Sequence, residues 1–481
     1  MDRFGPGYQR EDRFDRPLDD CWEMIPEKGW TFDMTPGCAR FVNRSQAKAE
    51  IFVRPCSIPG DTVEFRLKPG DLRNGVFLFG FLAGFEFVTF ELDLTTGALR
   101  ILTHEFHKEQ PRFSAKVATD FSRITVVRER DELPGLPYEG CRVELRLDDR
   151  LVAQVGQIDF LPESLFMFGL KGPGELSLAA FSITGPQRPR PEYVRVGLWQ
   201  QGNKPTTAEN VNALIPGVRQ AAEAGVEILL TPETSLTGLR PDDPELSNRD
   251  LIQSELRRFQ DAVRRIKSAP YTLIGYPDWI PGSEVDGATL DSVKVNSHRF
   301  VRPDGSLGPR MAKVHSCDEG LWHGRHYNLQ RVAGVEVALG VCHDGHYQDV
   351  WSVGVMGGAR LCMHPAGSGG PVGQPIANIL AGYRGLGTGL DSYWVRVNSG
   401  GGSAIIYPAS NRKQPNTILA VPDDLTEKNP TYPNYSSMGD LLAHARLRLW
   451  DASGTFPMRT LRGGRKAYET WSKLVPEIQD V

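Results

Sequence analysis

Apolar and polar residues alternate along most of the first 185 positions. TVEFRLK sets Val63, Phe65 and Leu67 on one face, and RVELRLDDR does the same with Val143, Leu145 and Leu147. The same habit runs through GVFLFGFLAGFEFVTFELDLTTG, ALRILTHEF, RITVVRER, SLFMFGLKG and ELSLAAFSITG. Turn signals such as Pro69-Gly70, Thr96-Gly97 and Asp148-Asp149 separate these runs at strand-length intervals. No helix-period segment interrupts them, so the pattern predicts an all-β, two-sheet sandwich. Residues 1 to about 40 carry few periodic segments and read as an arm wrapped on that domain.

GPQRPRPEY (185–193) holds three prolines and reads as a stiff linker. Beyond it the period changes. VRVGLWQ, VEILLTPE, YTLIGYP, VEVALGV, ARLCMHPAG, YWVRVNSG and SAIIYP read as strands. ENVNALIPGVRQAAEAG, SELRRFQDAVRRIKSA and YQDVWSVGVMGGA alternate with them at helical spacing, the first with Val211, Leu214, Ile215, Val218 and Ala222 on one face. Strands alternating with helices predict a layered α/β domain. The expected organisation is a β-sandwich over 1–186, a linker over 187–192, and an α/β domain over 193–481 that ends in a Pro-rich arm.

Bulk properties narrow the classes of function. The 481 residues exceed one ordinary core, in line with two domains. A net charge of −4 gives no electrostatic reason to expect nucleic acid or an anionic membrane as a partner. No apolar run is long enough to span a bilayer, and the polar, charged N-terminus lacks the apolar region of a signal peptide. A cytoplasmic location is the expectation. Seven scattered cysteines, odd in number and never in a CxxC pair, fit a reducing compartment in which thiols are buried fillers or nucleophiles.

Three polar residues stand where α/β domains place their chemistry, just past strand ends. Glu233 follows VEILLTP, Lys313 follows the hairpin VKVNSHRFVRPDGSLG, and Cys342 closes VEVALGV. Taken singly, each has an ordinary reading: a helix cap, a surface charge, a small buried hydrophobe. Together they are the parts of a thiol acyl-transfer site. A protonated thiol needs a base, which Glu233 can supply, with burial raising its pKa towards the useful range. Lys313 favours thiolate and, with a backbone N–H after Cys342, stabilises an oxyanion.

The order Glu–Lys–Cys and its surroundings resemble the nitrilase superfamily of carbon–nitrogen hydrolases across about 194–460. LLTPETSLTG is similar to the family's strand–Pro–Glu segment, MAKVH to its lysine segment, and GVCHDGHYQDVW to its nucleophile segment, followed by GGA at 357–359. YRGLGTGLDSYWVRVNSGGGSAIIYP resembles the Arg-bearing helix and the two strands after it. The resemblance implies a four-layer αββα sandwich, with Cys342 as nucleophile, Glu233 as base and Lys313 as the triad lysine. EGLWHG and CHDGHY are most similar to the aliphatic-amidase type, which implies a second carboxylate at Glu319 that orients substrate or Lys313. His343-Asp344 after the cysteine favours amide or carbamoyl substrates over nitriles. The chain departs from the family pattern at Gln348-Asp349 and, beside Arg384, at Gly385 and Gly387. The loops EGLWHGRHYN and PAGSGGPVGQ are expected to wall the pocket, which nominates Trp322, His343, His346 and Gly367 as substrate contacts. Relatives of this kind pair into dimers and larger rings, so a homodimer or larger homo-oligomer is expected, with a small amide-type molecule as substrate and no cofactor. The strand order of the first domain resembles the jelly roll of legume-lectin and glucanase-like domains.

Two rivals stay open. His315, Cys317, His323, His326, His343, His346 and His364 admit a metal site, although their spacing is irregular, with no pair set at i, i+4 in a helix, and histidines lining a polar pocket account for them equally. An inactive binding protein of the same fold is the other, and an N-carbamoyl-amine hydrolase or nitrilase would use the same triad. In the first domain, Trp22 and Trp30 read as core filling before glycan contacts, and His104 and His107 face opposite ways on an extended strand.

Overall fold

The computed structural model describes residues 7–18, 22–25, 29–71, 73–83, 86–105, 108–132, 139–158, 164–186, 191, 193–238, 243–285, 287–317, 320–367, 392–399, 401–408, 418–420, 440–449 and 473–481. Backbone proximity divides the chain into two compact units, Met1–Pro189 and Arg190–Val481.

The first unit is built of antiparallel strands: β1 (Tyr8–Asp12), β2 (Trp22–Ile25), β3 (Trp30–Thr35), β4 (Cys38–Asn43), β5 (Lys48–Ser57), β6 (Thr62–Leu67), β7 (Asn74–Ala83), β8 (Glu86–Asp93), β9 (Ala98–Glu105), β10 (Lys108–Lys116), β11 (Arg123–Glu132), β12 (Glu139–Leu147), β13 (Arg150–Ile158) and β14 (Ser164–Gly185). Their hydrogen bonds join them into one 14-stranded array. The cause is β14, which runs for 22 residues. Its first half pairs with β5 and β7, and its second half with β1, β4 and β6. Between the halves the register against β7 slips at Lys171–Glu175, where Gly172 takes a φ of 77° that other residues avoid.

Inward-facing residues from both halves meet in one aromatic core. Phe65 lies 5.1 Å, ring to ring, from both Phe77 and Phe168. Trp22 is part of this core, and its indole N–H donates to Asp12 Oδ2 at 3.0 Å. The described part of residues 1–40 is therefore not an arm but four sheet strands. Strands of only four to six residues hold their place by backbone pairing, and they leave little apolar period to read. Trp30 packs half-buried against the same core. His104 stacks on Phe87 with ring centroids 4.0 Å apart, while His107 lies outside the described residues.

The second unit comprises β15 (Tyr193–Gln200), α1 (Thr207–Glu223), β16 (Ile228–Leu230), α2 (Arg249–Arg264), β17 (Tyr271–Pro281), β18 (Ser292–Val301), β19 (Met311–Ala312), β20 (Asn328–Val332), β21 (Val335–Leu339), α3 (Gln348–Met356), β22 (Leu361–Ala366), β23 (Tyr393–Asn398), β24 (Ala404–Ile406), β25 (Ile418–Ala420), β26 (Leu441–Arg448) and β27 (Gln479–Asp480). They form two mixed sheets, ordered β19-β18-β17-β16-β15-β26 and β25-β24-β23-β22-β21-β20-β27. The first two helices of this unit, α1 and α2, start on side-chain caps: Thr206 accepts from the Glu209 N–H, and Asn248 from the Leu251 N–H.

Three apolar clusters organise this unit. Val194, Val196, Leu198, Ile228 and Leu273 of the first sheet share one with Val337, Leu339, Leu361, Met363, Val395 and Val397 of the second. Each such residue, fully buried, contributes about 1.5–3 kcal/mol. Val211, Leu214 and Val218 of α1 and Leu256, Phe259 and Val263 of α2 cluster with Trp199, Leu229 and Ile274 of the first sheet. Val350, Trp351 and Val355 of α3 cluster with Ala338, Cys362 and Trp394 of the second. Among the described residues, no helix is long and apolar enough to cross a membrane.

Candidate active site

Glu233 sits in the turn that leaves β16. Pro232 and Thr234 flank it, and Thr234 takes a φ of 50°, a conformation stabilised by its surroundings rather than by its own preference. Those surroundings are a relay of hydroxyls. The Gly275 N–H donates to Ser235 Oγ at 3.2 Å, and the Thr231 hydroxyl donates to the Leu273 carbonyl at 2.6 Å. The Ser235 and Thr231 hydroxyls lie 2.6 Å apart. The turn is thereby fastened to β17.

Lys313 follows the two-residue edge strand β19, and its backbone N–H donates to the Asn296 carbonyl on β18 at 2.9 Å. Its ammonium donates to Glu233 Oε1 at 2.9 Å, and both side chains are 1% exposed. The Asn296 amide donates to the same carboxylate oxygen at 2.8 Å. A buried ion pair with a third polar partner has well-defined geometry, since loss of either charge would strand the other. These three groups come from the first sheet.

Cys342 comes from the second sheet, at the end of β21. It opens a 3-10 turn, Cys342–His346, with a φ of 45°. A non-glycine residue held there marks stored strain of about 1–3 kcal/mol, a common property of reactive side chains. Two contacts hold the turn. His364 on β22 donates its Nε2–H to the Cys342 carbonyl at 2.8 Å, and the Asp344 carboxylate accepts from the Val341 N–H at 2.9 Å. Gly345 lies flat against the His364 ring, where a Cβ would come within 2.6 Å of it.

The sheets meet at the thiol. Burial pushes the Cys342 thiol up to about 12, and the negative charge of Glu233 adds to this. A hydrogen bond from the Gly367 N–H and the charge of Lys313 act the other way, while the bond to Glu233 favours the protonated form. The group at rest is thus an S–H donating to a carboxylate that already carries a lysine and an asparagine. The Glu233 N–H also approaches the Ala366 carbonyl at 3.4 Å, joining the two strand ends.

The other expected residues are placed less uniformly. The Gly367 backbone reaches the thiol. His343 adjoins it, 3.2 Å from the Tyr347 hydroxyl, and His346 is exposed. Trp322 bridges to Val295 and packs on Ile280, Val285 and Val293. Glu319, Arg384 and the Gly-rich run beyond Gly367 lie outside the described residues. Asn296 is not singled out by the sequence, although a polar triplet, Asn296–His298, that breaks the alternation begun by Val293 and Val295 is the available signal. Among the described residues, no group of three or more His, Cys, Asp or Glu is arranged to hold a metal ion.

The chain is similar to known proteins over part of its length. No family model matches it. Over 217 residues, 42% of the chain, it is 27% identical to an apolipoprotein N-acyltransferase of Gloeobacter violaceus, and it spans only 39% of that relative's length. Over 315 residues, 60% of the chain, it is 25% identical to a citrullinase of Francisella tularensis, 97% of which is covered. Among solved structures, an amidase from Nesterenkonia sp. aligns at a TM-score of 0.40 and 16% identity, covering 58% of this chain and 96% of its own. A mutant of that amidase, with the acetamide moiety of fluoroacetamide covalently added at its active-site cysteine, aligns at a TM-score of 0.42 and 17% identity, covering 58% and 96%.

Proposed function

We propose that this protein is a thiol-dependent hydrolase of non-peptide carbon–nitrogen bonds, of the nitrilase type, acting on a small amide. One observation carries the reading. The Cys342 thiol lies in hydrogen-bond contact with a carboxylate, Glu233, that is itself fixed by the Lys313 ammonium at 2.9 Å. The clusters that join helices to each outer face and sheet to sheet support a four-layer αββα arrangement for 193–481. The likeness to a citrullinase along 97% of that protein's length supports the reaction class. Residues 1–186 are then an appended β-sandwich of jelly-roll type, and 187–192 the linker.

The proposed sequence of steps follows from proton positions. Glu233 takes the Cys342 proton as sulfur attacks the amide carbonyl. Lys313 donates to the oxyanion of the tetrahedral adduct, a contribution of about 3–4 kcal/mol to the barrier for one such donor. Glu233 returns its proton to the departing nitrogen, so the C–N bond breaks and a thioester remains. Water then gives a proton to Glu233 and attacks the thioester, and the proton passes to sulfur as the acid leaves. Asn296 keeps the carboxylate turned toward the thiol throughout.

A second reading is an N-carbamoyl-amine hydrolase with the same triad. The citrullinase likeness favours it, because citrulline carries a ureido group. A screen for ammonia release across primary amides, N-carbamoyl amines and nitriles, with wild type and Cys342→Ala, decides between the two. Turnover of amides by wild type alone supports the first reading, and turnover of carbamoyl compounds alone supports the second. No release from any compound, or release that survives Cys342→Ala, refutes both.

A further inference from the structure

We infer that Asp344, two residues past the thiol, is a positioning residue that fixes the distance between Lys313 and Cys342. The inference rests on the hydrolase reading for its kinetic consequences, and on geometry alone for the contact itself. Asp344 is completely buried. Its two carboxylate oxygens accept three backbone N–H groups: Val341 at 2.9 Å, Val314 at 3.1 Å and His315 at 2.6 Å. Val341 immediately precedes Cys342, and Val314 immediately follows Lys313. One side chain therefore grips the main chain on the near side of each reacting group.

The need for such a grip follows from where the two groups originate. Lys313 leaves β19, a strand of only two residues at the edge of the first sheet. Cys342 leaves β21, an inner strand of the second sheet. Among the described residues no backbone ladder joins those sheets, so their relative placement depends on side-chain packing and on polar ties across the gap. The Glu233 N–H to Ala366 carbonyl contact is long at 3.4 Å, whereas Asp344 makes its bonds to the Lys313 loop at 3.1 and 2.6 Å. Bonds from backbone N–H groups to an ionised carboxylate are among the stronger kinds. A tie of that kind holds a lysine within the few tenths of an ångström that oxyanion stabilisation requires.

Asp344→Asn tests this, because the amide keeps the shape but sets an N–H against one of three N–H donors. The expected result is a fall of at least 100-fold in kcat with KM changed less than threefold. Alkylation of Cys342 by iodoacetamide should also shift its pH profile to higher pH, since a displaced Lys313 no longer favours thiolate. Val350→Ala, which opens a small cavity on α3, supplies a control for general loss of stability and should leave the alkylation profile in place. A variant that melts earlier but retains wild-type kcat and alkylation profile below its transition overturns the inference. Should Asp344→Asn not fold, Asp344→Glu carries the test: it keeps the charge but moves it by a methylene, and a wild-type kcat there overturns the inference as well. Failure of the hydrolase reading shows separately, as absence of turnover in wild type, and the alkylation profile then still decides the positioning role.

Discussion

At the scale of single residues, the reactive group is the thiol of Cys342, and its resting state has a testable consequence. Burial and the adjoining negative charge hold the thiol at about 12, so it is protonated at neutral pH and must lose its proton to Glu233 during attack. Glu233→Gln removes both the base and the charge that opposes thiolate. Amide turnover should fall by about 10²–10⁴, the usual contribution of a general base. Alkylation of the same thiol should speed up at pH 8, because the variant's thiol ionises more readily while Lys313 remains. Opposite signs in the two assays are the signature, and a parallel fall in both would refute Glu233 as base. Lys313→Met gives the complementary case: it takes a charge partner from the buried Glu233 carboxylate and removes the cation that favours thiolate, so alkylation should slow and turnover should be lost together.

At the scale of elements, the site depends on two turns pressed against neighbouring strands. Gly275 on β17 is the tighter of the two contacts. A Cβ there would stand 2.5 Å from the Thr234 backbone nitrogen and 2.5 Å from the His298 ring. Gly275→Ala must therefore push the Glu233 turn off β17, and it should cost about 1–3 kcal/mol, as overpacking does. Denaturant unfolding and amide turnover should both register it, and an unchanged turnover would show that the turn has slack. Such constraints bear on what the sequence could reveal. Periodicity was sufficient for α1, α2, α3 and the principal strands of the second unit, because each presents an unbroken apolar face to one cluster. It was insufficient for the strands β1 to β4, whose stability lies in pairing, and for β14, whose 22 residues serve two sets of partners. Glu233, Lys313 and Cys342 could be nominated from their positions after strands. The bond of Asn296 to Glu233 and the hold of Asp344 on the Lys313 loop could not, since both are contacts between segments 29 to 63 residues apart that only the fold brings together.

At the scale of the whole molecule, buried histidines tie stability to pH. His298 and His364 are both fully enclosed, and burial holds each down to about 3, with Lys313 adding to the effect at His298 and Arg396 at His364. The unfolded chain binds a proton on each near pH 6.5, whereas the folded chain binds none until about pH 3. The unfolded state therefore carries more protons throughout that window, and stability present above pH 6.5 is lost as pH falls through it. The slope approaches about 1.4 kcal/mol per pH unit for each histidine. In the first unit His104 is also lowered by burial, but it is only partly enclosed, so the second unit should be the more acid-sensitive. Hydrogen exchange at β17 and β18 amides, followed in the full chain from pH 7 to pH 4.5 after correction for intrinsic rates, reads the second unit alone. His298 provides the internal control. Neither ring nitrogen has a hydrogen-bond partner among the described residues, so His298→Leu leaves no donor or acceptor stranded and removes one of the two most deeply enclosed imidazoles of this unit, whose His444 is lowered by partial burial. The variant should be at least as stable as wild type at pH 5 and should show a shallower acid slope. A wild-type protein whose β17 and β18 protection does not change across that range would mean that neither imidazole is held neutral by its enclosure.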